Sequence, residues 1–116
     1  MKLIMKCSIF SVALLIVVLA IQNTNVKAEH YMMTDMEWNV DRYGSDYKPV
    51  DLLTSDPTLC EDECAKDPKC IAWTYVKPNT VQGPRPRCWL KDGVPPPRPS
   101  SHCVSGIKIR LGAGGP

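Results

Sequence analysis

The sequence contains little of what most enzyme active sites require. It has two histidines, His30 and His102, no Gly-x-Ser-x-Gly nucleophile motif and no Cys-x-x-Cys pair. His102 adjoins Cys103, and neighbouring residues in a strand point to opposite faces, so a Cys–His dyad is poorly placed there. We therefore expect no catalysis. A small thiol oxidoreductase is the least favoured alternative.

Long apolar runs are also scarce. The longest run, residues 7–21, has about 15 residues, whereas a helix that spans a bilayer needs about 20. Lys2 and Lys6 precede the run, and residues 26–28 place small side chains at the −3 and −1 positions of a cleavage site. We expect residues 1–28 to be a signal peptide. The mature protein would then be secreted or periplasmic, without a stable membrane anchor. An uncleaved anchor is the alternative.

The mature chain of about 88 residues has no strong excess of either charge. Residues 29–67 hold 11 Asp/Glu and 3 Lys/Arg, whereas residues 68–116 hold 8 Lys/Arg and 1 Asp. A nearly neutral domain is not typical of nucleic-acid binding. The basic second half favours an anionic glycan or an acidic protein as partner, unless the acidic and basic halves face each other across the fold.

What the mature chain does contain is cysteine. Cys7 lies in the predicted signal, and five cysteines remain after it: Cys60, Cys64, Cys70, Cys88 and Cys103. Export permits disulfides, and a core of this size is marginal without them. The spacing Cys-x3-Cys-x5-Cys is not usual for zinc. We therefore expect disulfides, with no metal and no cofactor.

One helix is predicted in the middle of the chain. Ser55 and Asp56 are good N-cap residues, and Pro57 suits the first helical position. The helix should run to about Lys66, because a residue before proline, here Asp67, avoids helical geometry.

The other predicted elements are extended. A flexible leader, residues 29–37, precedes them, and residues 112–116 form a flexible tail. Pro49 suggests an edge strand or a loop. The proline-rich segment 94–100 predicts a polyproline connection. In the last strand, Ile107, Ile109 and Leu111 are expected to face inward. The predicted strands cover residues 38–42, 47–53, 70–76, 87–91 and 104–111.

Three segments together carry a resemblance to a known family. They are the pattern Cys60-x3-Cys64-x5-Cys70-x-Ala-Trp-Thr-Tyr, the run Cys88-Trp-Leu-Lys91 and the run Ser105-Gly-Ile-Lys108. With the opening Asp41-Arg-Tyr-Gly-Ser-Asp46, they resemble the PAN/apple domain family, in particular its short bacterial members. The resemblance spans residues 38–111. It implies an α+β fold, in which one helix packs on a curved antiparallel sheet and disulfides staple the two together.

The same resemblance implies a function and a disulfide pairing. Family members are non-catalytic modules that bind proteins or carbohydrates outside the cell. By position, the family pairs Cys60 with Cys88 and Cys64 with Cys70. Longer members have a third bridge, but no cysteine stands between residues 29 and 59 to complete it. Cys103 is then either a buried free thiol or a link to another chain, which would favour a structural or assembly role.

A ligand surface is the remaining expectation. Exposed tryptophans anchor partners and stack on sugars, although at least two of the three tryptophans are expected to complete the core. Basic residues neighbour two of them in the sequence. The candidate surface consists of Trp73, Trp89, Arg85, Arg87, Lys91 and Arg98.

Overall fold

A computed structural model describes residues 30–112 as one helix on a curled, six-stranded antiparallel sheet. The predicted signal peptide and residues 113–116 of the predicted tail lie outside the described residues. The elements are β1 (Tyr31–Met33), β2 (Glu37–Asp41), β3 (Asp46–Asp51), α1 (Pro57–Lys66), β4 (Ala72–Val76), β5 (Arg87–Lys91) and β6 (Arg98–Arg110). The strand order is β1-β6-β4-β5-β3, and β2 also pairs with β6. The predicted α+β class is confirmed.

Local chemistry sets both ends of α1. The Asp56 carboxylate accepts a hydrogen bond from the Thr58 backbone N–H at 2.9 Å, and Pro57 occupies the first helical turn. The helix ends at Lys66, and Asp67 is extended, as the following proline requires. The helix packs on β4, β5 and β6.

Side-chain alternation gives the sheet two distinct faces. The face under the helix carries Trp73, Tyr75, Leu90 and Val104, which the register places opposite one another. We call the other side the back face, and define it by Thr74, Val76, Trp89, Lys91 and Cys103. A single-residue slip would exchange the two sets, so burial fixes the register.

Trp73 is the centre of the core. Its side chain is fully buried, and its indole lies directly over Gly106 of the neighbouring strand. A Cβ at position 106 would stand 2.6 Å from the indole ring atoms. Only glycine therefore leaves room for this tryptophan.

Both disulfides tie α1 to later parts of the chain. Cys60 is bonded to Cys88 in β5, with a Cα–Cα distance of 5.3 Å. Cys64 is bonded to Cys70, just before β4, with a Cα–Cα distance of 5.2 Å. This is the pairing that the family resemblance implies. Cys103 is free and buried.

Strand β3 occupies an edge of the sheet. It pairs only with β5 among the described strands, and Pro49 lies within it. Proline has no N–H to donate to a second neighbour, so the predicted edge position is confirmed.

The predicted leader is wrong for residues 31–33. They form β1, which pairs with residues 108–110 of β6. The 13-residue length of β6 leaves this end of the strand in need of a partner, and the leader supplies it. The last strand also begins earlier than predicted, at Arg98, because β2 pairs with its proline-containing start.

The inward face predicted for the last strand is wrong too. Ile109 is 40% exposed and Leu111 is 50% exposed, whereas Lys108 is 4% exposed. The Lys108 ammonium donates to the backbone carbonyls of Cys64, Ala65 and Asp67 at 3.0–3.3 Å. These carbonyls belong to the end of α1, where positive charge is favoured. A lysine therefore faces the helix, and the isoleucines lie on the opposite side.

Among residues 30–112, no helix has the length and apolar character needed to cross a membrane.

Candidate binding site

A cavity of about 340 Å³ opens on the back face of the sheet. Its floor comes from the sheet itself, through Thr74, Val76 and Cys103. Trp89 and Lys91 of β5 extend the floor to one side. Three loops and strand ends close the walls, and they contribute Asp41, Tyr43, Asp46, Val81, Gln82 and Ser100.

An arginine guanidinium group lies against each of two aromatic rings at the cavity. Arg87 lies 5.6 Å from the centre of the Trp89 ring, and Arg98 lies 4.8 Å from the centre of the Tyr43 ring. The Trp89 indole N–H also donates to Gln82 Oε1 at 2.7 Å. These contacts hold the Trp89 ring in one orientation at the rim.

The charges around the cavity are paired. The Lys91 ammonium, which is almost fully buried, contacts the Asp46 carboxylate and the Gly44 carbonyl. Arg98 contacts Asp41 at 3.3 Å, and outside the cavity Arg87 contacts Asp51 at 3.7 Å. Each of these pairs joins the acidic half of the chain to the basic half. The two halves thus face each other across the fold.

The floor is polar at one end and carries a thiol at the other. Ser105 donates to the Val40 carbonyl at 2.8 Å and shares a 2.8 Å hydrogen bond with Thr74. Cys103 is 6% exposed, and burial raises the pKa of its thiol. A buried thiol with a raised pKa is a weak nucleophile.

The structure divides the predicted ligand surface. Trp89 and Lys91 line the cavity, and Arg87 and Arg98 lie beside it, against the rings of Trp89 and Tyr43. Arg85 lies in a separate, shallow groove with Leu53, Pro84 and Pro86. Trp73 does not belong to any surface, because strand alternation turns its ring under the helix.

The three tryptophans also differ from expectation. Only Trp73 is in the core; Trp38 is 59% exposed, and Trp89 is half-buried. A bulge at Asn39, whose φ is 59°, interrupts the pairing of β2 with β6. The regular alternation of side chains, which would have turned Trp38 inward, is broken there.

Sequence reasoning missed every residue of the cavity walls. Asp41, Tyr43 and Asp46 belong to the segment between β2 and β3, and Val81 and Gln82 to the tip of a turn closed by a hydrogen bond from Gly83 N–H to the Thr80 carbonyl. The run of residues 41–46 contributed to the family resemblance, so a signal was present. It indicated the family but not where these residues lie in the folded domain.

The disulfide-linked helix and two of the strands that line this site, β4 and β5, lie in the segment that family comparison identifies. Residues 40–91 match the model of the PAN domain. The match supports a PAN/apple domain in this segment. The match includes both disulfides, α1 and strands β3 to β5. Comparison with curated proteins and with solved structures gave no significant match.

PAN domains generally bind proteins or carbohydrates and are generally non-catalytic. Across residues 30–112, no three His, Cys, Asp or Glu side chains converge closely enough to hold a metal ion.

Proposed function

We propose that this protein is a secreted, non-catalytic binding module whose PAN domain recognises a protein or carbohydrate partner through the back-face cavity. In this proposal residues 1–28 direct export, and the module includes strand β1 as well as residues 38–111. The observation that carries the proposal is the cavity with the rings of Trp89 and Tyr43 at its rim. Aromatic rings beside a concave surface are typical of recognition sites.

The two alternatives have weaker support. An assembly role through Cys103 requires its thiol to reach another chain, yet Cys103 forms part of the cavity floor and is buried. A thiol oxidoreductase requires a reactive cysteine, and the raised pKa of Cys103 opposes one. The other cysteines among residues 30–112 are bonded in pairs.

A binding screen tests the proposal. The oxidised mature protein would be applied to a glycan array and used as bait in a pull-down from extracellular fluid. We expect a saturable partner that the Trp89→Ala variant loses and the Arg85→Ala variant keeps. No partner in either screen, or equal loss in both variants, would count against the back-face site.

The same preparation separates the alternatives. On non-reducing electrophoresis, a covalent dimer that Cys103→Ser removes would favour the assembly role. Rapid reaction of Cys103 with a thiol reagent in the native state would favour thiol chemistry. We expect a monomer and slow reaction.

A further inference from the structure

We propose that the back-face cavity binds a single uncharged, hydroxyl-rich ring, which is the chemistry of a neutral sugar residue within a glycan. This inference rests on the proposed binding function and specifies its ligand. The evidence comes from the size of the cavity, the pairing of its charges and the way its aromatic rim is held.

The size of the cavity favours a small ligand. Its volume of about 340 Å³ is near the lower end of the range for small-molecule sites, roughly 300–1,000 Å³. The sheet closes the floor, so the ligand enters from one side only. A charged peptide side chain of similar size would also lie in the cavity, and the polar groups decide between a charged and an uncharged ligand.

The polar groups favour hydroxyls over charges. Lys91 and Arg98 are already paired with Asp46 and Asp41, so an anionic ligand would meet two carboxylates and no unpaired cation among the residues lining the cavity. A cationic ligand would have to displace Lys91, whose ammonium is buried. Carboxylate oxygens have several acceptor positions each, and they can accept from sugar hydroxyls without breaking either pair.

The rim supplies a platform for a ring. The Trp89 indole is fixed at its nitrogen by Gln82 and is flanked by Arg87. Because Gln82 accepts this bond through its carbonyl oxygen, its amide N–H groups are left to donate to a hydroxyl. An aromatic ring that loses little freedom on binding gives affinity at low entropic cost.

The inference can be tested with free sugars as probes. The uncharged probes would be glucose, galactose, mannose and N-acetylglucosamine, and the acidic probes glucuronate and galacturonate. The readout is the NMR signal of each tryptophan indole N–H, together with the alkylation rate of Cys103, since Cys103 lies in the cavity floor.

We expect at least one uncharged sugar to shift the Trp89 signal and slow Cys103 alkylation, with the corresponding acidic sugar weaker. Raising the salt concentration should leave this affinity unchanged, since no net charge is neutralised.

Trp89→Ala should weaken binding by about 30-fold, as loss of an interface anchor does. Trp38→Ala is the matched control and should bind normally. Tyr43→Ala, at an exposed residue, should also weaken binding and guards against misfolding of the Trp89 variant.

Three results would overturn the inference. The first is that acidic sugars bind better and lose affinity with salt, which would indicate an anionic ligand. The second is that Trp38→Ala and Trp89→Ala are equally impaired. The third is that no sugar acts while the pull-down yields a partner dependent on Trp89. That last result leaves the proposed function intact, whereas failure of both screens removes both proposals.

Discussion

Buried cationic side chains contribute to the packing of this small domain. Lys108, Lys91 and Arg42 are all nearly buried, and each has specific partners. The Arg42 guanidinium makes two 2.7 Å hydrogen bonds to the Glu37 carboxylate and one to the Pro95 carbonyl. Buried charges are tolerated only when they are paired in this way. Their contribution is therefore sensitive to the loss of either partner.

Replacement of Lys108 by methionine should destabilise the domain by about 2 kcal/mol. The methionine keeps the volume, but the carbonyls at the end of α1 lose their donor, and unsatisfied buried acceptors are costly. Urea unfolding would measure the change. Lys66→Met is the control, because Lys66 is exposed and pairs with Glu63 on the helix surface, where such pairs contribute little. Equal losses in both variants would contradict the role of Lys108.

Asp67 should make the stability of the domain depend on pH. Its carboxylate accepts a hydrogen bond from the Lys69 backbone N–H at 3.0 Å, and this bond, with Tyr47 and Lys48 nearby, lowers the pKa of Asp67. A carboxyl group whose pKa is lowered on folding stabilises the protein above its unfolded pKa of about 3.9. That stability is lost as the pH falls through the folded value.

The urea midpoint of the natural protein should accordingly decrease between about pH 5 and pH 2 more steeply than that of Asp67→Asn. The exposed Asp35→Asn variant should follow the natural protein. Parallel curves for the natural protein and Asp67→Asn would show that this carboxylate does not contribute.

At the scale of elements, the helix depends on its two disulfides. Helix α1 has ten residues, which is short for an isolated helix. One bridge fixes it to β5 and the other fixes its end to the chain before β4. Both bridges are buried, so the sulfur atoms that are lost when either bridge is removed come from similar environments. The main difference between them is the length of chain that each one closes.

The long-range bridge should therefore stabilise the domain more. The two bridges span sequence separations of 28 and 6 residues. In the loop-entropy model these correspond to about 3.6 and about 2.2 kcal/mol. We expect the Cys60→Ala/Cys88→Ala variant to unfold at lower urea than Cys64→Ala/Cys70→Ala. The reverse order would indicate that native packing around the bridges outweighs loop entropy.

Elements with local signals were predictable from the sequence. Asp56, Pro57 and Pro68 define α1 through interactions within a few residues, so its bounds match the prediction. Strand β5 also matches its predicted bounds, and burial alternates along it from Arg87 to Leu90. Strand β1 was missed because nothing within residues 31–33 requires a strand. They are ordered by pairing with a strand far along the chain.

The orientation of the β6 side chains shows why the hydrophobic pattern alone gave a wrong prediction. Ile107, Ile109 and Leu111 alternate as a buried face would, and Lys108 interrupts them as an exposed residue would. The end of α1 reverses this, since its carbonyls need a donor and Lys108 is within reach. This requirement arises only when the helix packs on the sheet, so the sequence of the strand alone does not predict it.

At the scale of the whole molecule, the domain joins the acidic and basic halves of the chain. Pairs such as Arg87 with Asp51 and Lys91 with Asp46 connect them across strands β3 and β5. The part of the candidate site on β5 was foreseeable, because Arg87, Trp89 and Lys91 share one face. The part from the loops was not, since only the folded sheet brings residues 41–46 beside residues 81–82.

Reduction should unfold the whole domain. The two bridges together contribute about 6 kcal/mol in the loop-entropy model, which is comparable to the net stability of a small domain. Circular dichroism melting with and without dithiothreitol would measure the effect. A variant with all four bridge cysteines replaced should be insensitive to the reductant. An unchanged melting curve for the natural protein would contradict a stabilising role for the bridges.

The pairing of β1 with the end of β6 brings the two ends of the described chain together. The Leu111 N–H donates to the His30 carbonyl at 2.9 Å. Leu111 is eight residues beyond Cys103 along the chain, or about 26 Å at the rise of a strand. An affinity tag, a fluorophore or a neighbouring repeat attached at either end would emerge at one corner. The opening on the back face would then stay clear for immobilised or multivalent use of the domain.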